Sequence, residues 1–302
     1  MGFGPLVLGA LALCLAVTAR CAEPLSGTLK KIKETSSITL GYRESSIPFS
    51  YLDDQQRPIG YALEICYRVI DQIKKELNLP SLEVKLNPVT SATRIPLMAN
   101  GTIDLECGSS TNNAERRRQV DFTNAHFLTA SKFVAKKATG VATIDGLRGK
   151  SVASTSGTTN IKQLNELNAS RKLGITIMPA KDHAEGFLMV ETDRVAAFVM
   201  DDILLASLVA NSKDPNAYLI SQDALSLAEP YAIMLRRDDP QFKQLVDRAT
   251  AAFFKSPDGP KLFRKWFQAP IPPKGIVLDV ALDGVLKRIF ENPSDSSDPK
   301  AY

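Results

Sequence analysis

The sequence predicts an α/β fold made of two lobes joined by two crossover strands. Three observations predict it. Strand-like and helix-like hydrophobic patterns alternate along the chain, as strands covered by helices require. The alternation starts afresh near residue 150 after a break. The chain has 302 residues, enough for two domains of ordinary size.

The elements follow in order. Ser37–Tyr42 alternates apolar and polar residues and reads as a strand. Tyr61–Leu77 carries Ala62, Ile65, Cys66, Val69, Ile70, Ile73 and Leu77 at helical spacing. Leu82, Val84 and Leu86 alternate again. Ser91 is placed to cap a short helix that Gly101 ends, and Ile103–Cys107 reads as the next strand. Lys150–Ser154 opens the second series. Gly174–Pro179 and Val195–Met200 read as strands, with helices over His183–Thr192 and Ile203–Asn211. Tyr231–Arg236 is a late strand. Gln241–Lys255 is a late helix with Phe242, Leu245, Val246, Ala249 and Phe253 on one face. Both sheets are expected to be mostly parallel, with crossings near residues 126–131 and 226–231. The first lobe is then 28–127 completed by 230–302, and the second is 128–229. The polar tail NPSDSSDPKAY is expected to be loose.

Composition narrows the function classes. Lys and Arg total 37 against 33 Asp and Glu, an excess too small to point to nucleic acid. The opening MGFGPLVLGALALCLAVTA is nearly all apolar and ends in small residues. It is read as a cleaved signal peptide over residues 1–22, although it lacks the usual early Lys or Arg; an uncleaved anchor is the alternative. Arg20 before Cys21 argues against lipidation there. Past residue 22 two cysteines remain, Cys66 and Cys107. They can pair in an oxidising compartment or stay free in the core. No CxxC pair exists and the histidines are His126 and His183, so no metal or cofactor is expected.

Ligands of such lobes sit at the carboxyl ends of strands, where helix N-termini favour anions. Several segments fall at such junctions. Arg43 follows the first strand, and Ser91 and Arg94 open the short helix. An arginine there can hold a carboxylate through two parallel hydrogen bonds, while the bland alternative is a solvated charge. Ser109 and Thr111 follow the strand that ends at Cys107 and offer hydroxyls and backbone N–H groups, or simple turn chemistry. Thr159 lies at the start of the second lobe's first helix, in the run Ser154–Asn160, whose bland alternative is a simple helix cap. Asp182 and Glu185 form a capping-box pattern, with His183 at the helix start. Asp201 and Asp202 follow the most apolar strand; Asp201 is assigned to a ligand ammonium and Asp202 to the helix cap. Gly146–Ser151 only superficially resembles a phosphate loop: it is two residues short and its Lys150 starts a strand.

Together the strings GYRESSIPFSY, SATRIPLMANGTIDLECGSSTNNAERR, LRGKSVASTSGTTN, AKDHAEGF, VAAFVMDD and KWFQAPIPPK resemble the type II periplasmic solute-binding proteins for polar amino acids. RESSIPFSY, ECGSSTNN and AKDH resemble its glutamate/aspartate-binding branch in particular. The resemblance implies two Rossmann-like lobes that close on one ligand in the periplasm. It implies a monomer that serves an inner-membrane ABC permease and carries L-glutamate or L-aspartate. By the same resemblance Arg94 clamps the α-carboxylate with Ser109, Thr111 and Thr159. Asp201 takes the α-ammonium, and Arg43, Ser91 and His183 hold the side-chain carboxylate. The charges agree: Arg43, Arg94 and His183 face two anions and Asp201 one cation.

Two rival functions share the scaffold. A periplasmic dehydratase acting on a carboxylated cyclohexadiene needs a general acid, and His183, Asp201 and Asp202 are the candidates. No serine lies in a G-x-S-x-G elbow, which argues against a nucleophilic triad. A sensor subunit would have the same ligand site, so sequence does not separate it from transport.

Overall fold

The computed structural model describes residues 1–2, 24–282 and 284–302. The leader reading, with Arg20 and Cys21, lies outside the described residues.

The chain enters through α1 (Gly27–Thr35), whose Ile32 and Leu29 are buried, and turns through Ser36 into β1 (Ser37–Tyr42). A small three-stranded sheet follows, made of β2 (Ser45–Ser46), β3 (Ser50–Leu52) and β4 (Pro58–Ile59). Its strands are too short to show a period-two pattern in the sequence. Helix α2 (Tyr61–Leu77) buries the expected apolar stripe, and Asn78 in the left-handed region ends it. Strand β5 (Glu83–Pro88), helix α3 (Arg94–Ala99), strand β6 (Leu105–Cys107) and the long strand β7 (Val120–Thr129) complete the first pass.

At Ala130 the chain passes into the second lobe. Strand β8 (Ser131–Lys136) and strand β9 (Ser151–Thr155) precede helix α4 (Thr159–Arg171). Strand β10 (Thr176–Ala180), helix α5 (His183–Glu191), strand β11 (Ala197–Asp201), helix α6 (Asp202–Asn211) and strand β12 (Tyr218–Ile220) follow. Gly186 lets α5 lie directly on β11. A Cβ there would come within 2.3 Å of the Phe198 ring. The chain returns through β13 (Glu229–Arg236) and ends in α7 (Pro240–Lys255), α8 (Asp258–Phe267) and α9 (Gly284–Glu291).

The first sheet has the order β5-β1-β6-β13-β7 and the second β10-β9-β11-β8-β12. In each, four strands run one way and a single strand, β13 in the first and β8 in the second, runs against them between two of the four. The sheets are therefore mostly parallel, as the sequence patterning predicts, with one reversed strand in each. The reversed strands, β13 and β8, are those by which the chain enters each lobe from the other. They enter from the opposite end, so they cannot run with the βαβ set. Strands β7 and β13 pair with each other from Val120↔Arg236 to Thr129↔Glu229, which makes the crossover a two-stranded ribbon.

Three further details depart from or complete the sequence reading. Cys66 of α2 and Cys107 of β6 form a disulfide, which resolves the open alternative. Ser91 does not cap α3: Thr93 holds the cap position and makes no side-chain cap bond. The tail is docked instead of loose. Ser294 O accepts from Ala125 N at 2.8 Å, and Asp295 O accepts from Asn112 Nδ2 at 2.9 Å. The Asp295 carboxylate pairs with Lys243 at 2.8 Å and Arg117 at 3.3 Å, while Tyr302 Oη donates to Ser294 O and Ser296 O. Polar composition hid this because the tail is held by hydrogen bonds and ion pairs more than by apolar burial.

Candidate functional site

The carboxyl ends of β1, β6, β9 and β11 face one another across the junction of the lobes, and their loops bring most of the sequence-nominated residues together. Arg43 follows β1 and is 2% exposed. Its backbone N donates to Ser50 Oγ, which fixes the turn, and its Nη2 donates to Ser91 Oγ at 2.7 Å. Ser91 thus spends its hydroxyl on a guanidinium, which explains why it caps nothing. Arg94 is the first residue of α3 and equally buried. Its Nη1 donates to Ser109 O at 3.0 Å and Ser110 Oγ at 2.6 Å. Ser110 passes the contact on, donating to Glu106 Oε2 at 2.5 Å. Among the described residues, Arg43 Nη1, Arg94 Nε and Ser109 Oγ are buried without a protein partner.

From the second lobe His183 reaches this cluster. Its Nε2 lies 3.5 Å from Arg43 Nη2 and its Nδ1 lies 3.0 Å from Thr155 Oγ1. A guanidinium only donates, so Nε2 is the acceptor and Nδ1 carries the proton toward Thr155. Burial holds the His183 pKa well below the usual imidazole range, and the Arg43 and Arg94 charges push it further down. The imidazole is therefore neutral here, not one of the three cations that the sequence reading counted. Burial, then Arg94, lowers the Arg43 pKa to about 10, still high enough to keep its charge at neutral pH. The Asp182 cap is as expected, accepting from Glu185 N at 2.9 Å. Glu185 reaches back one residue further than a capping box requires, to Lys181 N.

The opposite pole is acidic. Asp201 ends β11 and stands at the N-cap position of α6, but its carboxylate makes no cap bond. It accepts from Asn160 Nδ2 at 2.8 Å and from Tyr231 Oη. Burial, reinforced by the Glu229 carboxylate, raises its pKa to about 7. Asp202 turns away and accepts from Ile203 N and Thr129 Oγ1, each at 2.7 Å, which pins the helix start to the end of β7. The cap position belongs to Asp201, where the sequence reading gave it to Asp202, yet it is the Asp202 carboxylate that bonds the helix start.

Thr111 and Thr159 meet, but through a residue that the sequence did not nominate. Thr111 Oγ1 donates to Glu229 Oε2 at 3.0 Å and Thr159 Oγ1 donates to the same oxygen at 3.1 Å. Gln163 Nε2 donates to Glu229 Oε1. Thr158, not Thr159, caps α4, accepting from Ile161 N at 3.2 Å. A second residue missed is Arg116. In the run Arg116-Arg117-Arg118 it reads as surface charge, yet it is 6% exposed. Its Nη1 donates to Thr111 O at 2.9 Å and its Nη2 to Gly157 O at 3.4 Å, across the lobes. Burial and Arg94 lower its pKa to about 9. Glu106 is the third, fully buried inside an apolar strand. Its only sequence signal is an acid between Leu105 and Cys107 in a run otherwise read as core.

The lobes touch backbone to backbone. Gly157 has φ +75°, and a Cβ on it would fall 2.5 Å from Ala92 Cα and 2.7 Å from Ser91 O. The cleft therefore sets three guanidiniums, Arg43, Arg94 and Arg116, against three carboxylates, Glu106, Asp201 and Glu229. Its donors suit carboxylates and its Asp201 pole suits an ammonium. It is poorly arranged for nucleophilic catalysis. The one hydroxyl beside an imidazole, Thr155, receives the proton of His183 and so cannot give up its own to that nitrogen. His126 is elsewhere, packed among Phe49, Tyr61 and Tyr231, and burial lowers its pKa to about 3.

The chain is similar to known proteins along most of its length. A family model described as bacterial extracellular solute-binding proteins, family 3, matches residues 38–269. The L-glutamate/L-aspartate-binding protein of Pseudomonas aeruginosa is 46% identical over 277 residues, 91% of each chain. The glutamate/aspartate import solute-binding protein of Escherichia coli is 43% identical over 291 residues, 94% of this chain and 96% of that one. A crystal structure of a mutant ArgBP from T. maritima superposes with a TM-score of 0.71. It covers 80% of this chain and 100% of that one at 23% identity, a likeness of fold alone.

Proposed function

The chain belongs to the bacterial extracellular solute-binding proteins, family 3, and we propose that it binds L-glutamate or L-aspartate between its lobes for import. It is a binding protein, not an enzyme, as its relatives among import systems are. In this reading the bodies that close are residues 28–127 with 230–302, and residues 128–229. The protein works as a monomer in the periplasm, reached through its apolar leader, and hands its ligand to an inner-membrane ABC permease.

One observation carries the choice of ligand: two buried guanidiniums, Arg43 and Arg94, both with donors left over, share a cleft with the buried carboxylate of Asp201. Arg94 and Ser109, with the backbone at Thr111 and Thr159, serve the α-carboxylate. Asp201 serves the α-ammonium. Arg43, Ser91 and His183 serve the side-chain carboxylate, whose negative charge also offsets the field that keeps His183 neutral. Glutamine would leave Arg43 facing a neutral amide, a loss of up to about 1.5–3 kcal/mol for the charge-assisted bond.

Isothermal titration against a panel of amino acids tests this. Glutamate and aspartate should bind and raise Tm, with glutamine and lysine far behind. Arg94→Ala should abolish binding of both acids, and Arg43→Ala should weaken them while narrowing the gap to glutamine. Equal affinity for lysine would overturn the assignment.

A further inference from the structure

We infer that Glu229 is the closure latch of the cleft, a positioning carboxylate that receives side chains from both lobes and so holds them together. This rests on the reading of the cleft as a site that closes on its ligand.

Its position is the first argument. Glu229 is the first residue of β13 and pairs with Thr129 at the end of β7, so it sits where the ribbon joining the lobes meets the cleft. A side chain fixed there belongs to the hinge and can be reached from either side.

Its partners are the second. Thr111 comes from the loop after β6 in the first lobe, while Thr159 and Gln163 lie on α4 of the second. An ionised carboxylate only accepts, so all three must donate to it. Both oxygens are engaged, and the set is complete only when the start of α4 lies against the loop that holds Thr111. Tyr231 to Asp201 also spans the lobes, but through one bond between two side chains.

The third argument concerns protons. A threonine hydroxyl has one to give. With those of Thr111 and Thr159 given to Glu229, neither hydroxyl can donate to a ligand carboxylate, and only their lone pairs remain. The two threonines therefore act on closure through Glu229, and their contribution to a bound carboxylate falls to backbone N–H groups. Arg116, which grips Thr111 O and Gly157 O, braces the same loop pair from a second direction.

The test uses the full chain with one fluorophore in each lobe, single-molecule energy transfer reporting lobe separation, and stopped-flow kinetics with glutamate. Glu229→Ala should lower the closed fraction of unliganded protein and raise the glutamate dissociation rate at least about tenfold, with the association rate changed little. Glu229→Gln keeps the volume and one accepting oxygen, and should fall between. Glu229→Ala combined with Thr159→Val should lose no more than the larger single change, because the two act through one contact. Unchanged lobe separation in both Glu229 variants would overturn the latch, as would additive losses in the double variant. A drop in glutamate affinity without any change in unliganded closure would also overturn it, making Glu229 a ligand contact. If the wild-type protein bound no glutamate, the proposed function would fall, yet the unliganded distances would still decide the latch.

Discussion

Asp201 is the residue whose chemistry is least ordinary. Its carboxyl titrates near pH 7 because it is buried beside Glu229, while an unfolded aspartate titrates near 4. Between those values the folded protein holds a proton that the unfolded chain has released. The contribution of this group to stability is therefore complete below about pH 4 and is lost as pH rises toward 7. Asp201→Asn keeps the neutral shape without the titration. The Tm of unliganded Asp201→Asn should gain on wild type steadily between pH 4 and 7, and the difference should then stay constant above pH 7; a difference that does not change between pH 4 and 7 would contradict the raised value. Sequence placed this aspartate at a strand end, which is enough to nominate it. Its pKa was hidden, because Tyr231, Asn160 and Glu229 reach it from distant parts of the chain. Ser91 shows the converse. Local pattern made it a cap, and a guanidinium 48 residues away claimed it.

Elements were legible in proportion to their length and periodicity. Helix α2 and strand β1 appear at the bounds read from hydrophobic spacing. The short strands β2, β3 and β4, and the docked tail, did not show, because their order comes from partners and not from pattern. The link between α2 and β6 belongs to this scale too. The disulfide joins the main helix of the first lobe to the strand that leads into Ser109 and Thr111, at a sequence separation of 41. Loop entropy assigns such a closure about 4 kcal/mol. Reduction, or Cys66→Ser with Cys107→Ser, should lower stability by about 2–4 kcal/mol in denaturant titrations, with the far-ultraviolet dichroism retained. A loss below about 0.5 kcal/mol would mean that packing of α2 alone holds the strand.

At the scale of the molecule, the alternation of patterns revealed two α/β lobes with mostly parallel sheets but not the one reversed strand in each. Strand direction depends on which end the crossover ribbon enters, and no local period records that. The same limit applies to closure, which depends on surfaces from both halves meeting. Gly157 is the clearest instance. It reads as turn punctuation between β9 and α4, and its positive φ would be reason enough for a glycine. The structure adds a second reason, since Ala92 and Ser91 of the other lobe occupy the space that a side chain would need. Backbone cannot step aside as a flexible side chain can. Gly157→Val should therefore leave each lobe folded, with a modest cost from the φ, and prevent the lobes from meeting. Small-angle scattering should show glutamate compacting the wild-type protein and failing to compact the variant. Affinity should fall at least about tenfold, which is 1.4 kcal/mol. A variant that still compacts fully would show that the contact at Gly157 yields, and closure would then rest on Arg116 and the Glu229 contacts instead.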